Sequence, residues 1–248
     1  MTGRSQWKRD CIECPLLECE GLRPLDNGQL KFMQGFKQGE FTIDKGTQSL
    51  VQGSISPHVY TLLAGVLFRY RILEDGRRQI VNFVFPGDLI GLQGAMDDPL
   101  LHGCEALTNA TLCVFSRDRI VELFAEQPQL GYDLTWLAAK EESALEEHLV
   151  SVGRRTAQER LVCLAIFLIE RGIATGLVKK SSLEISITQS QISDTLGLSL
   201  VHTNRTLQAL RKKGLVNWSL TRISIPDMAV ACDFAQYEGN AGGIRPYI

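Results

Sequence analysis

The sequence predicts an α+β protein with a β-rich amino-terminal half, a long central helix and a helical carboxy-terminal half. Three patterns support this prediction. Short apolar segments punctuated by glycine fill residues 30–115, apolar side chains at three- and four-residue steps fill 128–153, and two short helical patterns meet at Gly197. With 248 residues and 44% hydrophobic content, the chain can bury a core in each of two domains.

The leader, residues 1–27, contains three cysteines within nine residues, namely Cys11, Cys14 and Cys19 in CIECPLLEC. Closely spaced thiolates on a loop can bind one face of an iron–sulfur cluster or a zinc ion, and either group needs a fourth ligand from elsewhere. The alternative is a set of unliganded thiols. The leader is therefore a candidate metal site, but the spacing alone does not decide between an iron–sulfur cluster, a zinc ion and unliganded thiols.

The start of the chain, MTGRSQWKRD, is polar and basic, and no run approaches the apolar length of a membrane span. We therefore expect a cytoplasmic protein without a membrane partner. In that reducing compartment, metal binding, redox sensing or burial explains seven cysteines better than disulfides do.

Residues 28–127 are predicted to form an antiparallel barrel or sandwich. Asp75-Gly76 is a hairpin signal, so FRYRIL and RRQIVNFVF should pair across it, and Pro86-Gly87-Asp88 marks the next reversal. A final strand, ALTNATLCVF, contains Cys113 and closes the region. Four glycines recur every eleven or twelve residues between the apolar segments: Gly53, Gly65, Gly76 and Gly87.

The long helix is predicted within residues 128–155. Its apolar seam suits pairing with the same helix of a second subunit, while Glu141 and His148 interrupt it. The alternative is a helix that faces the core of a monomer. The seam comprises Leu130, Leu134, Leu137, Ala144 or Leu145, Leu149 and Val152.

Residues 156–232 are predicted to form a winged helix-turn-helix, joined to the long helix by a polar hinge at residues 154–159, and residues 233–248 a loose tail. Thr188 and Gln191 have capping-box spacing, Gly197 stops the first helix, and Ser199 caps the second, which ends at Gly214. The segment NWSLTRISI reads as a two-stranded wing. A buried Cys163 is expected in the apolar helix that opens this domain.

The second of these helices presents a polar and basic outer face. From residue 195 to 226 there are five basic residues and no acidic one, although the whole chain has a net charge of -2. Such a local field suits the phosphate backbone of duplex DNA, which makes DNA the expected partner. An ordinary helical hairpin with a solvated face is the alternative. The candidate DNA contacts are Ser199, Val201, His202, Asn204, Arg205, Gln208 and Lys212.

These features together resemble the Crp–Fnr superfamily of bacterial transcription regulators over nearly the whole chain. Its most specific pieces here are DGRRQIVNFVFPGDLIG, AQERLVCLAIFL and ITQSQISDTLGLSLVHTNRTLQALRKKGLV. The resemblance implies an amino-terminal double-stranded β-helix (β-roll) of the cyclic-nucleotide-binding type, a dimerisation helix and a carboxy-terminal winged helix. It also implies a homodimer that binds double-stranded DNA, with RNA polymerase as a partner if the protein activates.

The resemblance to the oxygen-sensing branch implies a [4Fe–4S] cluster held by Cys11, Cys14, Cys19 and Cys113. Family position favours Cys113 over Cys104 as the fourth ligand, and the gap between Cys14 and Cys19 is one residue shorter than the enterobacterial pattern. The segment that matches the phosphate cassette, LQGAMDDPLLHGCEALT, contains no arginine, so no cyclic nucleotide is expected.

The recognition helix departs from the family pattern. The family usually has glutamate, then serine or glycine, then arginine at its reading positions, where this chain has Val201, Asn204 and Arg205. Arg205 keeps the fork that suits guanine, whereas Val201 cannot accept a hydrogen bond from cytosine. The usual family half-site is therefore not expected.

Three alternatives remain open at this stage. The first is a regulator without a cluster that responds through thiol oxidation or its own abundance, and the second is a leader that binds zinc. The third is a β-rich domain that serves as the ligand-binding module of an enzyme, but the four histidines are scattered and no catalytic motif is present, so we expect no enzyme. A purely structural role would leave the basic helix unexplained.

Overall fold

The computed structural model describes residues 9–94, 98–179, 182–238 and 244–248. Within the leader, two short 3-10 turns cover Cys11–Glu13 and Pro15–Glu18. Helix α1 follows at Asn27–Phe36, where Asp26 and Gln29 form a capping box. The expectation that strands begin near residue 30 is therefore wrong for this segment, because the cap and its buried Met33 and Phe36 stabilise a helix.

The β-roll is built from two antiparallel sheets that face each other. One sheet has the order β1-β8-β3-β6 and the other β2-β7-β4-β5. Leu62, Leu67 and Leu112 are fully buried between the sheets. The described strands are β1 Lys37–Ile43, β2 Gln48–Leu50, β3 His58–Ala64, β4 Leu67–Ile72, β5 Arg78–Val84, β6 Leu89–Ile90, β7 Gly103–Ala106 and β8 Ala110–Ser116.

The hairpin predicted at Asp75-Gly76 is confirmed. Strands β4 and β5 pair in antiparallel register from Leu67 opposite Val84 to Ile72 opposite Arg78. Gly76 has φ of 84°, a left-handed value that a side chain would strain, so the turn requires glycine here. The turn signal therefore fixed the register of two strands.

After the roll, α2 spans Ile120–Glu126 and the long helix α3 spans Pro128–Arg154. The first half of the predicted dimer seam is wrong. Leu130, Leu134 and Leu137 are at most 5% exposed because they pack against the leader and the roll of their own chain. In the second half, Leu149 is 69% exposed, so only that part of the seam is open to another subunit.

The carboxy-terminal domain begins after a short connection at residues 155–156, where a longer hinge was predicted. Its first helix, α4, buries nine of its 18 residues, and the buried Cys163 is among them, as expected. The wing belongs to a sheet of four short strands in the order β11-β12-β10-β9, rather than two. The elements are α4 Ala157–Ala174, β9 Val178–Lys179, β10 Ser182–Leu183, α5 Gln189–Leu196, α6 Leu200–Lys212, β11 Asn217–Trp218, β12 Ile223–Ser224 and α7 Met228–Ala235.

The prediction of a loose tail is wrong for the last five residues. Tyr247 and Ile248 are 3% and 4% exposed, and Leu22 pairs with Arg245 in a parallel β-bridge. No local pattern predicts this packing, because the partners of these residues lie in the leader and the roll, far away along the chain. Helix α7 also extends past the predicted domain end at residue 232.

The two domains are in direct contact. Arg78 on β5 forms an ion pair of 2.9 Å with Asp194 on α5, and Gln79 Nε2 donates to the carbonyl oxygen of Thr195 at 2.9 Å. Among the residues described, no helix is both long and apolar enough to cross a membrane.

Candidate nucleic-acid interface

The helix-turn-helix is defined by the capping groups that the sequence predicts. Thr188 Oγ1 accepts from the amide of Gln191, whose Oε1 accepts from the amide of Thr188 at 2.8 Å. Gly197 ends α5 with φ of 65°, and Ser199 Oγ accepts from the amide of His202 at 3.2 Å. The predicted boundaries of both helices are confirmed.

Buried polar contacts fix the angle between the two helices. Thr203 is fully buried, and its hydroxyl lies 3.2 Å from that of Ser193 on α5. Arg160 on α4 donates to the carbonyl oxygen of Leu196 at 3.2 Å, which satisfies one of the free carbonyls at the end of α5. Helix α6 thus packs against α5, which is itself bonded to α4.

The outer face of α6 is open to solvent. Six of the seven candidate contacts are exposed, and Val201 is 62% exposed. The seventh, Asn204, is partly buried, and its Oδ1 accepts from Gln208 Nε2 at 2.9 Å. The exposed candidates are Ser199, Val201, His202, Arg205, Gln208 and Lys212.

Most basic side chains of this surface are uncommitted. Within the described part of the chain, Arg205, Arg211 and Lys212 have no ion-pair partner. Lys213 instead bonds to Gln158 at 2.7 Å, and the exposed Arg222 is 3.4 Å from Glu184. Unpaired guanidinium and ammonium groups on a rigid helix are suited to phosphate and base-edge contacts.

The candidate metal ligands lie in one region, at the outer face of the sheet β1-β8-β3-β6. Cys113 on β8 is 6% exposed and packs in the same apolar cluster as Cys11, Cys14 and Cys19. Cys104 belongs to the other apolar cluster, between the two sheets. The structure thus places Cys113, and not Cys104, beside the leader thiols.

The thiols are nevertheless not arranged as a ligand set. Cys19 Sγ lies 3.8 Å from the carbonyl oxygen of Thr175, and burial raises the pKa of Cys14, Cys19 and Cys113. Among the described residues, no three Cys, His, Asp or Glu side chains are close enough to hold a metal ion. The donor chemistry suits an iron–sulfur cluster, but this arrangement would have to change to bind one.

A cavity of about 510 Å³ lies between the roll and α3, next to Gly91 and Gln93. Two arginines in the wall of this cavity were not predicted, because only the segment after Gly91 was compared with the phosphate cassette of the family. Arg69 on β4 forms an ion pair with Glu141 of α3, and Arg245 comes from the carboxy terminus. Glu141, predicted to face a second subunit, thus faces its own roll.

Two family models match the chain. A cyclic nucleotide-binding domain matches residues 40–127, and a Crp-like helix-turn-helix domain matches residues 163–230. The first range covers most of the roll, and the second covers α5 and α6. The absence of a bound cyclic nucleotide remains a prediction from the sequence.

Curated relatives share most of the chain. The nitrogen fixation regulation protein FixK of Rhizobium meliloti is 30% identical over 175 residues, which are 71% of this chain and 76% of the relative. A probable transcriptional activator of Rhizobium leguminosarum is 29% identical over 88% of this chain and 90% of its own length. The transcriptional activator FnrL of Cereibacter sphaeroides is 24% identical, covering 94% and 92% of the two chains.

The fold is also found among solved structures. FixK2 from Bradyrhizobium japonicum superposes with a TM-score of 0.70 at 25% identity and covers 78% of this chain and 95% of its own. A regulator from Thermus thermophilus, TTHA1359, has a TM-score of 0.66 at 17% identity over 81% of this chain and 100% of its own, which supports the fold alone.

Proposed function

This chain belongs to the Crp–Fnr family of DNA-binding transcription regulators, and on that premise we propose that it reads a specific operator through α6 as a homodimer in the cytoplasm. A helix-turn-helix regulator commonly reads two half-sites through two-fold symmetry. The single observation that supports the proposal best is the exposed outer face of α6, where Arg205, Arg211 and Lys212 have no ion-pair partner among the described residues.

The side chains of α6 divide into two roles. Arg205 lies in the middle of the exposed face, where its planar fork can donate two hydrogen bonds to guanine O6 and N7. Lys212 lies in the last turn and is suited to a phosphate. Val201 offers an apolar contact, which suits a thymine methyl group.

One pair of substitutions tests these roles. We expect Arg205→Ala to weaken binding to the selected operator by about 1–3 kcal/mol and to relax the preference at one base pair. Lys212→Ala should weaken binding to all sequences and reduce the salt slope by about 1. The measurement is fluorescence anisotropy against operators selected from a random DNA pool, with and without base changes.

The control is Arg77→Ala, which removes another exposed arginine, at the tip of the β4–β5 hairpin; the side chain of Arg77 is 77% exposed. This variant should bind as the original protein does. Unchanged affinity and unchanged base preference in Arg205→Ala would contradict the assignment of α6 as the reading helix.

For the signal, we propose a [4Fe–4S] cluster with Cys11, Cys14, Cys19 and Cys113 as ligands. Support comes from the packing of the four thiols against the same group of apolar side chains and from the resemblance of the leader to the oxygen-sensing branch. Such a cluster would supply redox and oxygen sensitivity. A regulator without a cluster that responds to thiol oxidation or abundance, and a leader that binds zinc, are the competing proposals.

Metal analysis of protein purified without oxygen separates these proposals. We expect about four iron and four acid-labile sulfide per chain, with broad visible absorption. Cys113→Ser should lose both, whereas Cys104→Ser, the matched control inside the roll, should retain them. Zinc without sulfide would favour the zinc-bound leader, and protein free of both metals would contradict the cluster.

RNA polymerase is the proposed protein partner. The relatives from Rhizobium leguminosarum and Cereibacter sphaeroides are both named as activators, which favours activation over repression. Transcription in vitro from a promoter with the selected operator should rise when the protein is added. A fall in transcript would identify a repressor instead.

A further inference from the structure

The last residues of the chain occupy a cleft formed by the leader, the roll and α3. The backbone of Arg245 is held on both sides, because its amide donates to Gly21 O at 2.9 Å and its carbonyl accepts from the amide of Arg23 at 2.8 Å. Its guanidinium lies 2.7 Å from Asp88 Oδ1 and 5.7 Å from the ring centroid of Trp136. An arginine at this position thus meets a carboxylate and an aromatic face.

The two final side chains are buried. Tyr247 and Ile248 pack in the apolar cluster that contains the leader thiols, and Thr61 Oγ1 donates to the carbonyl oxygen of Ile248. Thr61 lies directly opposite Cys113 in the β3–β8 ladder, so the two side chains share one face of the sheet. The chain terminus therefore covers the face on which Cys113 lies.

The same contacts reach the DNA-binding domain. Asp88 Oδ1, which binds Arg245, is also 2.6 Å from Arg171 Nη2 on α4. One buried carboxylate thus joins the roll, the terminus and the domain that carries α6. Loss of Arg245 would leave the ion pair between Asp88 and Arg171 more exposed to water.

We propose that this cleft is a peptide-binding site whose ligand is the chain's own terminal sequence, Arg245-Pro246-Tyr247-Ile248, and that the bound peptide shields Cys113. The site selects a peptide with a basic residue, an aromatic residue two positions after it and an aliphatic residue directly after that. It is reversible, because the backbone contact is one bridge and not a strand, and Arg245 Nε has no acceptor within the described residues. The site goes beyond the proposed function and needs no metal.

In the test, the terminal peptide is cut from the protein and removed after the protein has folded. A recognition sequence for a site-specific protease is inserted after residue 242, and the reduced, metal-free protein is cleaved and gel-filtered. Alkylation by N-ethylmaleimide is then followed at each cysteine by mass spectrometry. Cys113 should react at least about tenfold faster after cleavage, as expected when local cover is removed. Cys104, fully buried between the sheets, should not change.

Synthetic peptides provide the second arm. IRPYI added to the cleaved protein should restore slow alkylation of Cys113, whereas IEPYI, which places a carboxylate against Asp88, should not. In the uncleaved chain, Arg245→Glu should expose Cys113, while Ile244→Ser, at a side chain that is 63% exposed, should leave it protected. Equal Cys113 reactivity before and after cleavage, or equal protection by both peptides, would overturn the proposal.

Discussion

Asp88 links the roll to the carboxy-terminal domain through a buried ion pair that no local sequence motif predicts. Its Oδ1 meets Arg171 and Arg245, and its Oδ2 accepts from the amide of Phe85 at 2.8 Å. Burial alone would raise the pKa of Asp88, but the two guanidinium groups outweigh it and keep the pKa below its usual value. The carboxylate therefore stays charged while it is buried between two arginines.

We expect Asp88→Asn to lower the free energy of unfolding by about 3–5 kcal/mol, because it leaves two buried guanidinium groups without a counter-charge. Denaturant unfolding followed by circular dichroism measures the change. Asp75→Asn is the control, since Asp75 pairs with Arg77 on the exposed hairpin and should change stability by less than about 1 kcal/mol. Equal effects of the two substitutions would argue against a structural role for the Asp88 pair.

His102 predicts a pH dependence of stability. Burial, with smaller contributions from Arg69 and Arg71, lowers the pKa of His102 from 6.5 to about 4. The unfolded chain therefore takes up a proton first, so the stability that the neutral ring provides is complete above pH 6.5 and is lost as pH falls towards 4. This difference in pKa corresponds to at most about 3 kcal/mol.

The measurement is the free energy of unfolding at several pH values between 4 and 7. His102→Asn should flatten the curve in this window, although His148, whose pKa burial also lowers, will leave some slope of the same sign. His202→Asn, on the exposed face of α6, is the matched control and should leave the curve unchanged. A curve that His102→Asn does not alter would exclude His102 as its source.

At the scale of elements, the turn between α5 and α6 depends on two residues. Ser199→Ala removes the acceptor for the amide of His202 and should destabilise the domain by about 1 kcal/mol. Gly197→Ala forces a side chain into a left-handed conformation and should cost about 1–2 kcal/mol. Thermal unfolding measures both, and Ser219→Ala in the wing is the control. A Gly197→Ala variant as stable as the original would contradict the strain at this turn.

Sequence reasoning succeeded where the determinants are local. The capping box at Thr188, the stop at Gly197 and the cap at Ser199 all act within four residues, and each is confirmed. It failed for α1, whose glycines and aromatic residues resemble a strand, and for the terminus, whose partner Asp88 lies far away along the chain. The exposed face of α6 followed from helical spacing, whereas Arg69 and Arg245 beside the cavity required the fold.

At the scale of the whole molecule, α3 serves two different neighbours. Its first half packs against its own leader and roll through Leu130, Leu134 and Leu137. Its second half presents Leu149 and Val150 to solvent at 69% and 49% exposure. Adjacent exposed apolar side chains supply the kind of surface that a subunit interface can bury. Because both halves of α3 bury apolar side chains, but against different neighbours, one apolar pattern runs along the whole helix. Only the second half of the helix is available for dimerisation.

The proposed dimer is therefore expected to depend on the second half of α3. Leu149→Glu should shift the protein towards monomer at micromolar concentration and weaken binding to a two-half-site operator by at least about tenfold, because each charge would be buried against an apolar partner. Analytical ultracentrifugation and anisotropy measure the two effects. Ile55→Glu, on the roll at a nearly equal exposure of 66%, is the control and should remain as associated as the original protein. If Leu149→Glu stays dimeric, the subunits must pair through another surface. That other surface would then set the two-fold symmetry that brings two α6 helices to one operator.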